Sequence, residues 1–97
     1  MIASFADRIT EALYHGVRGK AVKRIPPQIT AVAVRKLDML SSARDLQDLL
    51  QPPGNRLEAL RGDLRGFHSI RINEQWRIVF RWEAGEAHAV RIIDYHR

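Results

Sequence analysis

The stretch FHSIRINEQWRIVFRW, residues 67–82, decides the fold. Its side chains alternate with a period of two on both sides of a polar break, which is the signature of extended strands with one buried face. His68, Ile70 and Ile72 fall on one face and Phe67, Ser69 and Arg71 on the other. After Asn73-Glu74-Gln75, read as a hairpin loop, Trp76, Ile78, Phe80 and Trp82 share one face and Arg77, Val79 and Arg81 the other. The two tryptophans keep company with Ile78 and Phe80, so they are expected in the core rather than as platforms for nucleobases.

Working outward, a second loop around Ala84-Gly85-Glu86 leads to a strand over Ala89 to Tyr95, with Val90 and Ile92 on one side and Arg91, Ile93 and Tyr95 on the other. Upstream, Gly62 to Gly66 reads as a turn, Arg56 to Arg61 as a short strand, and Pro52-Pro53-Gly54-Asn55 as a loop. Before that the period is helical. Asp7 is placed to cap a helix carrying Ile9, Leu13 and Val17, ended by Gly16 and Gly19. Pro26-Pro27 suits the entry to a second helix, with an apolar stripe of Ile29, Val32, Ala33, Leu37 and Leu40 flanked by Arg35 and Lys36. Leu46, Leu49 and Leu50 suggest a short helical turn, and Met1 to Phe5 an edge or first strand. Helices followed by antiparallel strands argue an α+β fold, a small antiparallel-rich sheet packed against two N-terminal helices, in a single domain over residues 1–97.

Sixteen Lys and Arg stand against 11 Asp and Glu in 97 residues, a formal net charge of +5 with a pI near 10.4. So basic a small domain invites a polyanion, nucleic acid first among them, although an acidic protein or an anionic membrane surface meets the same electrostatics. No cysteine is present, which excludes disulfides and thiolate chemistry. No segment is long and apolar enough to span a bilayer, and the expected place is the cytoplasm. His15, His68 and His88 lack metal-ligand spacing, and there is neither a glycine-rich nucleotide loop nor a serine nucleophile motif, so neither metal nor cofactor is expected.

Arg71, Arg77, Arg81 and Arg91 occupy positions of like parity within their strands, and antiparallel pairing brings such side chains together. With Arg56 and Arg61 beside them, the expected product is an arginine-lined face or concavity whose guanidinium forks match phosphate oxygens. The competing reading is a solvated face in which Glu58, Asp63, Glu74 or Glu83 pairs these arginines, but the carboxylates are too few for the whole set. Beside this face, near the C-terminus, lies Asp94-Tyr95-His96. Cleaving RNA by internal transfer needs a base for the 2′-hydroxyl proton, an acid for the leaving 5′-oxygen and cations for the charge on phosphorus. An imidazole titrates near neutral pH, so His96 suits either proton task, while a terminal tail without a role is the plain alternative.

The stretch from Pro52 to Asp63, PPGNRLEALRGD, with His68-Ser-Ile-Arg-Ile-Asn73, Gln75-Trp-Arg-Ile78 and Ile93-Asp-Tyr-His96, closely resembles the HigB branch of the RelE/ParE toxins. That resemblance implies the RelE-like fold, ribosome-dependent cleavage of mRNA that inhibits translation, and a partner antitoxin of HigA type with a helix-turn-helix fold. DNA would then be met only through the antitoxin. It further implies that Arg77 holds the scissile phosphate and that Asp94, Tyr95 and His96 form the catalytic end. Arg61 stands where many members have a lysine that contributes to catalysis, and Glu58 where some have a histidine. A guanidinium is effectively never deprotonated, so Arg61 is expected to stabilise charge, which leaves His96 as the principal proton shuttle. Arg56, Arg71, Arg81 and Arg91 are the expected RNA contacts. Two rivals stay open at this point: a gyrase poison of ParE type on the same fold, and a non-catalytic RNA- or ribosome-binding module.

Overall fold

The computed structural model describes residues 1–20 and 22–95. Helix α1 covers Arg8–Tyr14, and the Asp7 carboxylate caps it by accepting from the Thr10 N–H at 2.8 Å. It ends at His15, and Gly16 beyond it takes the left-handed conformation (φ 72°) that a Cβ would oppose. Val17 lies past this stop and is exposed, so it does not extend the apolar stripe. Helix α2 covers Pro27–Ser42, with a proline in the first turn where no N–H is needed. Ile29, Ala33, Leu37 and Leu40 bury its inner face, and so does Lys36, which the sequence pattern places only at the flank. Burial, and then the charge of Arg35, hold the Lys36 ammonium below its ordinary pKa of 10.5.

A 3-10 turn over Leu46–Leu50 follows. The Asp48 carboxylate reaches back to the N–H groups of Arg44 and Asp45 at 2.9 and 3.1 Å, while Asp45 accepts from Gln47. Another 3-10 turn spans Pro53–Asn55. Then come strands β1 (Glu58–Ala59), β2 (Phe67–Arg71), β3 (Trp76–Glu83) and β4 (Glu86–Asp94), in the order β1-β2-β3-β4 and antiparallel throughout. Strand β1 is shorter than the expected Arg56 to Arg61, because Arg56 is left-handed (φ 45°) and Arg61 already leads into the turn at Gly62–Leu64. The β3–β4 turn is Ala84-Gly85, both at positive φ (51° and 76°), which matches the twist of a tight hairpin.

Strand β4 begins earlier than the alternation suggests. The pairs Val79↔Arg91 and Arg81↔His88 differ in register, so a bulge at Ala89 (φ 52°) sets an extra residue opposite Phe80. Ala87 and Val90 both reach the core as a result, and strict period two fails across that step. The segment at the N-terminus runs parallel to β4, bridging Ile2 to Ala87 and Phe5 to Val90, so the expected first strand is present as two isolated bridges.

Ile70, Ile72, Ile78, Phe80, Ala87 and Val90 form the inner sheet face and join Leu13, Ile29, Ala33, Leu37, Leu40 and Leu49 in one core, against which Trp76 and Trp82 pack. The outer face of the sheet carries most of its arginines, interspersed with Phe67, Val79 and Ile93. Backbone N–H groups hold the Asp48 carboxyl below its ordinary value of 3.8, so its cap contributes stability above that pH and loses it as pH falls through the lowered pKa. Asp48→Asn is therefore expected to lower the unfolding midpoint at pH 7, with the deficit closing in strong acid, as thermal melts across pH would show.

Candidate active site

The strand register fixes which outer-face side chains are neighbours. Arg71 lies opposite Arg77, and Arg77 opposite Ile93. One step along, Glu58, Ser69, Val79 and Arg91 form a row across all four strands. A step further, Phe67, Arg81 and His88 form the next. Two guanidiniums directly opposed repel unless an acceptor lies between or beside them. At this end of the face an open cavity of about 1030 Å³ is bordered by Arg56, Arg71 and Arg77, by Glu58 and Glu74, and by Tyr95, with Asn73 and Gln75 at its edge.

Arg77 forms the floor and is only 9% exposed. Its Nη1 donates to Ser69 Oγ at 2.6 Å and to the Arg56 carbonyl at 3.3 Å, and Glu58 Oε1 lies 3.7 Å away. The guanidinium carbon sits 5.6 Å from the centroid of the Tyr95 ring. A cation taken this far from water is tolerable only with such acceptors and a π face around it. Ser69 is fully buried, so its hydroxyl is held in place by packing. Arg56 exposes its side chain at the rim while its backbone carbonyl serves Arg77.

The β2–β3 loop ties the end of β4 to this cavity. Asn73 Oδ1 accepts from the N–H groups of Gln75 and Trp76, both at 2.8 Å, which shapes the loop. The Gln75 carbonyl then accepts from the Tyr95 N–H at 2.6 Å, and Gln75 Nε2 donates to Asp94 Oδ2 at 3.0 Å. Tyr95 is thereby set against Arg77, while the Asp94 carboxylate is exposed beside the loop.

Of the residues singled out in the sequence, Arg56, Arg71, Arg77 and Tyr95 meet at the cavity and Asp94 adjoins it through Gln75. Arg81 lies toward the other end of the face, 3.7 Å from Glu83 and over the Phe67 ring at 5.9 Å. Arg91 is half-buried beside Val79, off the cavity border. Arg61 is exposed at the head of the Gly62–Leu64 turn, also off that border. His96 lies outside the described residues. Carboxylates do attend the arginines: Arg71 has Glu74 at 3.8 Å, but Glu74 is almost wholly exposed, and such pairs contribute little in water. Three guanidiniums face two carboxylates at the cavity, which leaves positive charge for an anion. Sequence reasoning did not find Gln75 as the hinge between Tyr95 and Asp94, since a loop glutamine gives no periodic signal.

Titration with inorganic phosphate at low salt is expected to shift amide signals of Arg71, Arg77 and Tyr95 and to leave those of Arg81 largely unmoved, with Arg77→Ala abolishing the effect. Equal shifts along the whole arginine face would remove the cavity as a distinct anion site.

Residues 3–96 match the family described as RelE-like toxin of type II toxin-antitoxin system HigB. Toxin HigB-1 of Vibrio cholerae serotype O1 is 41% identical over 87 residues, covering 90% of either chain. Endoribonuclease HigB of Proteus vulgaris is 29% identical over 101 residues, covering 99% of this chain and 100% of its own. In the Staphylococcus aureus YoeB-YefM toxin-antitoxin complex, a chain 15% identical superposes with a TM-score of 0.60 over 100% of this chain and 99% of that one. The YoeB dimer of the same organism gives 0.60 at 16% identity, covering 99% and 98%. These solved structures speak for the fold alone. The family match over nearly the whole sequence and the 41% identity reach further, and the chain belongs to the HigB-like toxins, RelE-like toxins of type II toxin-antitoxin systems.

Proposed function

We propose that this toxin is a metal-independent endoribonuclease that cuts messenger RNA on the ribosome, in the cytoplasm, and that a helix-turn-helix antitoxin of HigA type holds it in check. The observation that carries the reading is Arg77, a nearly buried guanidinium at the floor of an open basic cavity, in contact with Tyr95. Membership of the toxin family, the endoribonuclease name of the Proteus vulgaris relative and the antitoxin beside YoeB support it.

The chemistry is internal transfer. A base removes the 2′-hydroxyl proton, the 2′-oxygen bonds to phosphorus, the bond from phosphorus to the 5′-oxygen breaks, and that oxygen takes a proton. The products are a 2′,3′-cyclic phosphate and a free 5′-hydroxyl. Arg77 holds the scissile phosphate and stabilises the charge that builds on its oxygens, a role for which fixed donors in a partly dry site are suited. Arg71 and Arg56 add positive charge from the wall and rim, and Tyr95 stacks on a base or orients the hydroxyl. Arg61 acts through charge alone, since it holds its proton at any working pH. Glu58 is engaged with Arg77, so proton transfer falls to His96 with Asp94 orienting it. Arg91 and Arg81, successively farther from the cavity along the same face, contact RNA to one side of the cut.

With translating ribosomes and a defined message, Arg77→Ala is expected to lower the cleavage rate on the order of 100-fold or more. His96→Ala is expected to lower it by on the order of 100- to 10,000-fold. Rates within a few-fold of wild type would remove the phosphate clamp or the proton shuttle respectively, and intact message with the wild-type protein would favour a non-catalytic binding module.

A further inference from the structure

Lys36 is the unusual member of the α2 stripe. It is 7% exposed among Ala33, Leu37 and Leu40, none of which is measurably exposed, and no carboxylate among the described residues forms an ion pair with it. Lysines are seldom buried without a counter-charge, and an apolar side chain there would fill the core at lower cost. What its ammonium does meet is Asn55 Oδ1. Asn55 is itself fully buried, and its Nδ2 donates to the carbonyls of Leu49 and Gln51, both at 3.2 Å. With the Asn55 N–H on the Pro52 carbonyl at 3.0 Å, the amide ties together both ends of the loop in which it sits.

The next residue in the chain is Arg56, whose carbonyl accepts from Arg77 Nη1, and two residues beyond it Glu58 approaches the same nitrogen. The segment Pro52–Arg56 is outside the sheet, so strand pairing does not set its height over Arg77. We infer that Lys36 and Asn55 are positioning residues for the reaction: a buried strut from α2 that holds the Arg56 carbonyl and Glu58 in place and so aims the Arg77 guanidinium into the cavity. This rests on the reading of Arg77 as the phosphate clamp. The Lys36 donor acts through Asn55 and the loop backbone, and neither side chain touches RNA.

The test uses the whole toxin with Lys36→Met, which keeps an unbranched side chain up to the Cε position and removes the donor. Two measurements are made: steady-state cleavage on ribosomes, and nitrogen-15 NMR of the Arg77 side chain in the free toxin. Misaiming a clamp by about an ångström costs on the order of 100-fold. The expected result is a kcat lowered by roughly 10- to 100-fold with KM within about threefold, since the surface that meets the ribosome is untouched. The Arg77 Nη signals are expected to be held apart by slow rotation in the wild type and to merge in the variant. Lys36→Arg, which keeps a cationic donor, is expected to restore both in part. A folded Lys36→Met toxin with unchanged kcat and unchanged Arg77 signals overturns the strut. Should that variant not fold, Lys36→Gln, with an amide donor one atom short, is read in the same two ways. The NMR readout needs no substrate, so a wild type that cuts no message overturns the proposed function while the Arg77 signals still decide the inference.

Discussion

Burying the guanidinium of Arg77 is the constraint from which much of the outer architecture follows. Removing such a cation from water costs several kcal/mol unless acceptors are already in place. The neighbouring strand therefore needs a small hydroxyl at Ser69, where a larger apolar residue would leave the donor unpaired. The chain before β1 must present a carbonyl, and it does so with Arg56 in a left-handed conformation that non-glycine residues adopt at some expense. Because that kink precedes Glu58 and the Gly62–Leu64 turn follows soon after Ala59, β1 is only two residues long. A strand so short looks like a poorly formed edge until its purpose is seen in what flanks it.

Most of the arginines on and beside the sheet fall into two environments. Arg56, Arg71 and Arg77 share a cavity in which carboxylates offset part of their charge, while Arg81 stands apart with Glu83. Further basic charge lies elsewhere, in the exposed Arg18, Lys20, Lys23 and Arg24 between the helices. Charge spread over separated patches favours approach to an extended polyanion, whereas alignment of a single phosphate depends on the local donors. The net charge and the cavity thus answer two different physical demands.

The hairpin of residues 67–82 was legible because alternation reports directly on which face is buried, and Ile70, Ile78 and Phe80 are fully inside. Helix α2 was legible for the same reason at a period of 3.6, and its start was marked by Pro26-Pro27. Less could be read where a residue's surroundings come from distant chain. Lys36 sits at a core-facing position but carries a charge, and only the tertiary approach of Asn55 explains it. The grouping of arginines by parity placed them on one face yet could not separate Arg77 from Arg81, since register and loop height decide which of them meets the cavity. The resemblance from Pro52 onward added the candidate site residues, and the structure supplied Ser69, the Arg56 carbonyl and Gln75 as groups that hold Arg77, Tyr95 and Asp94.

The bulge at Ala89 has a consequence for how this protein can change over evolutionary time. Ala87 points inward, and without the extra residue every second side chain after it, through Tyr95, would point inward too. The inserted residue inverts that parity, so Val90 and Ile92 enter the core while Arg91, Ile93 and Tyr95 turn to the side of Arg77. Loss of one codon at this step would act as a three-dimensional frameshift, preserving Arg91, Ile93 and Tyr95 and presenting them to the wrong side of the sheet. Length between Ala87 and Tyr95 is accordingly as much a part of the site's specification as the identity of the residues it carries.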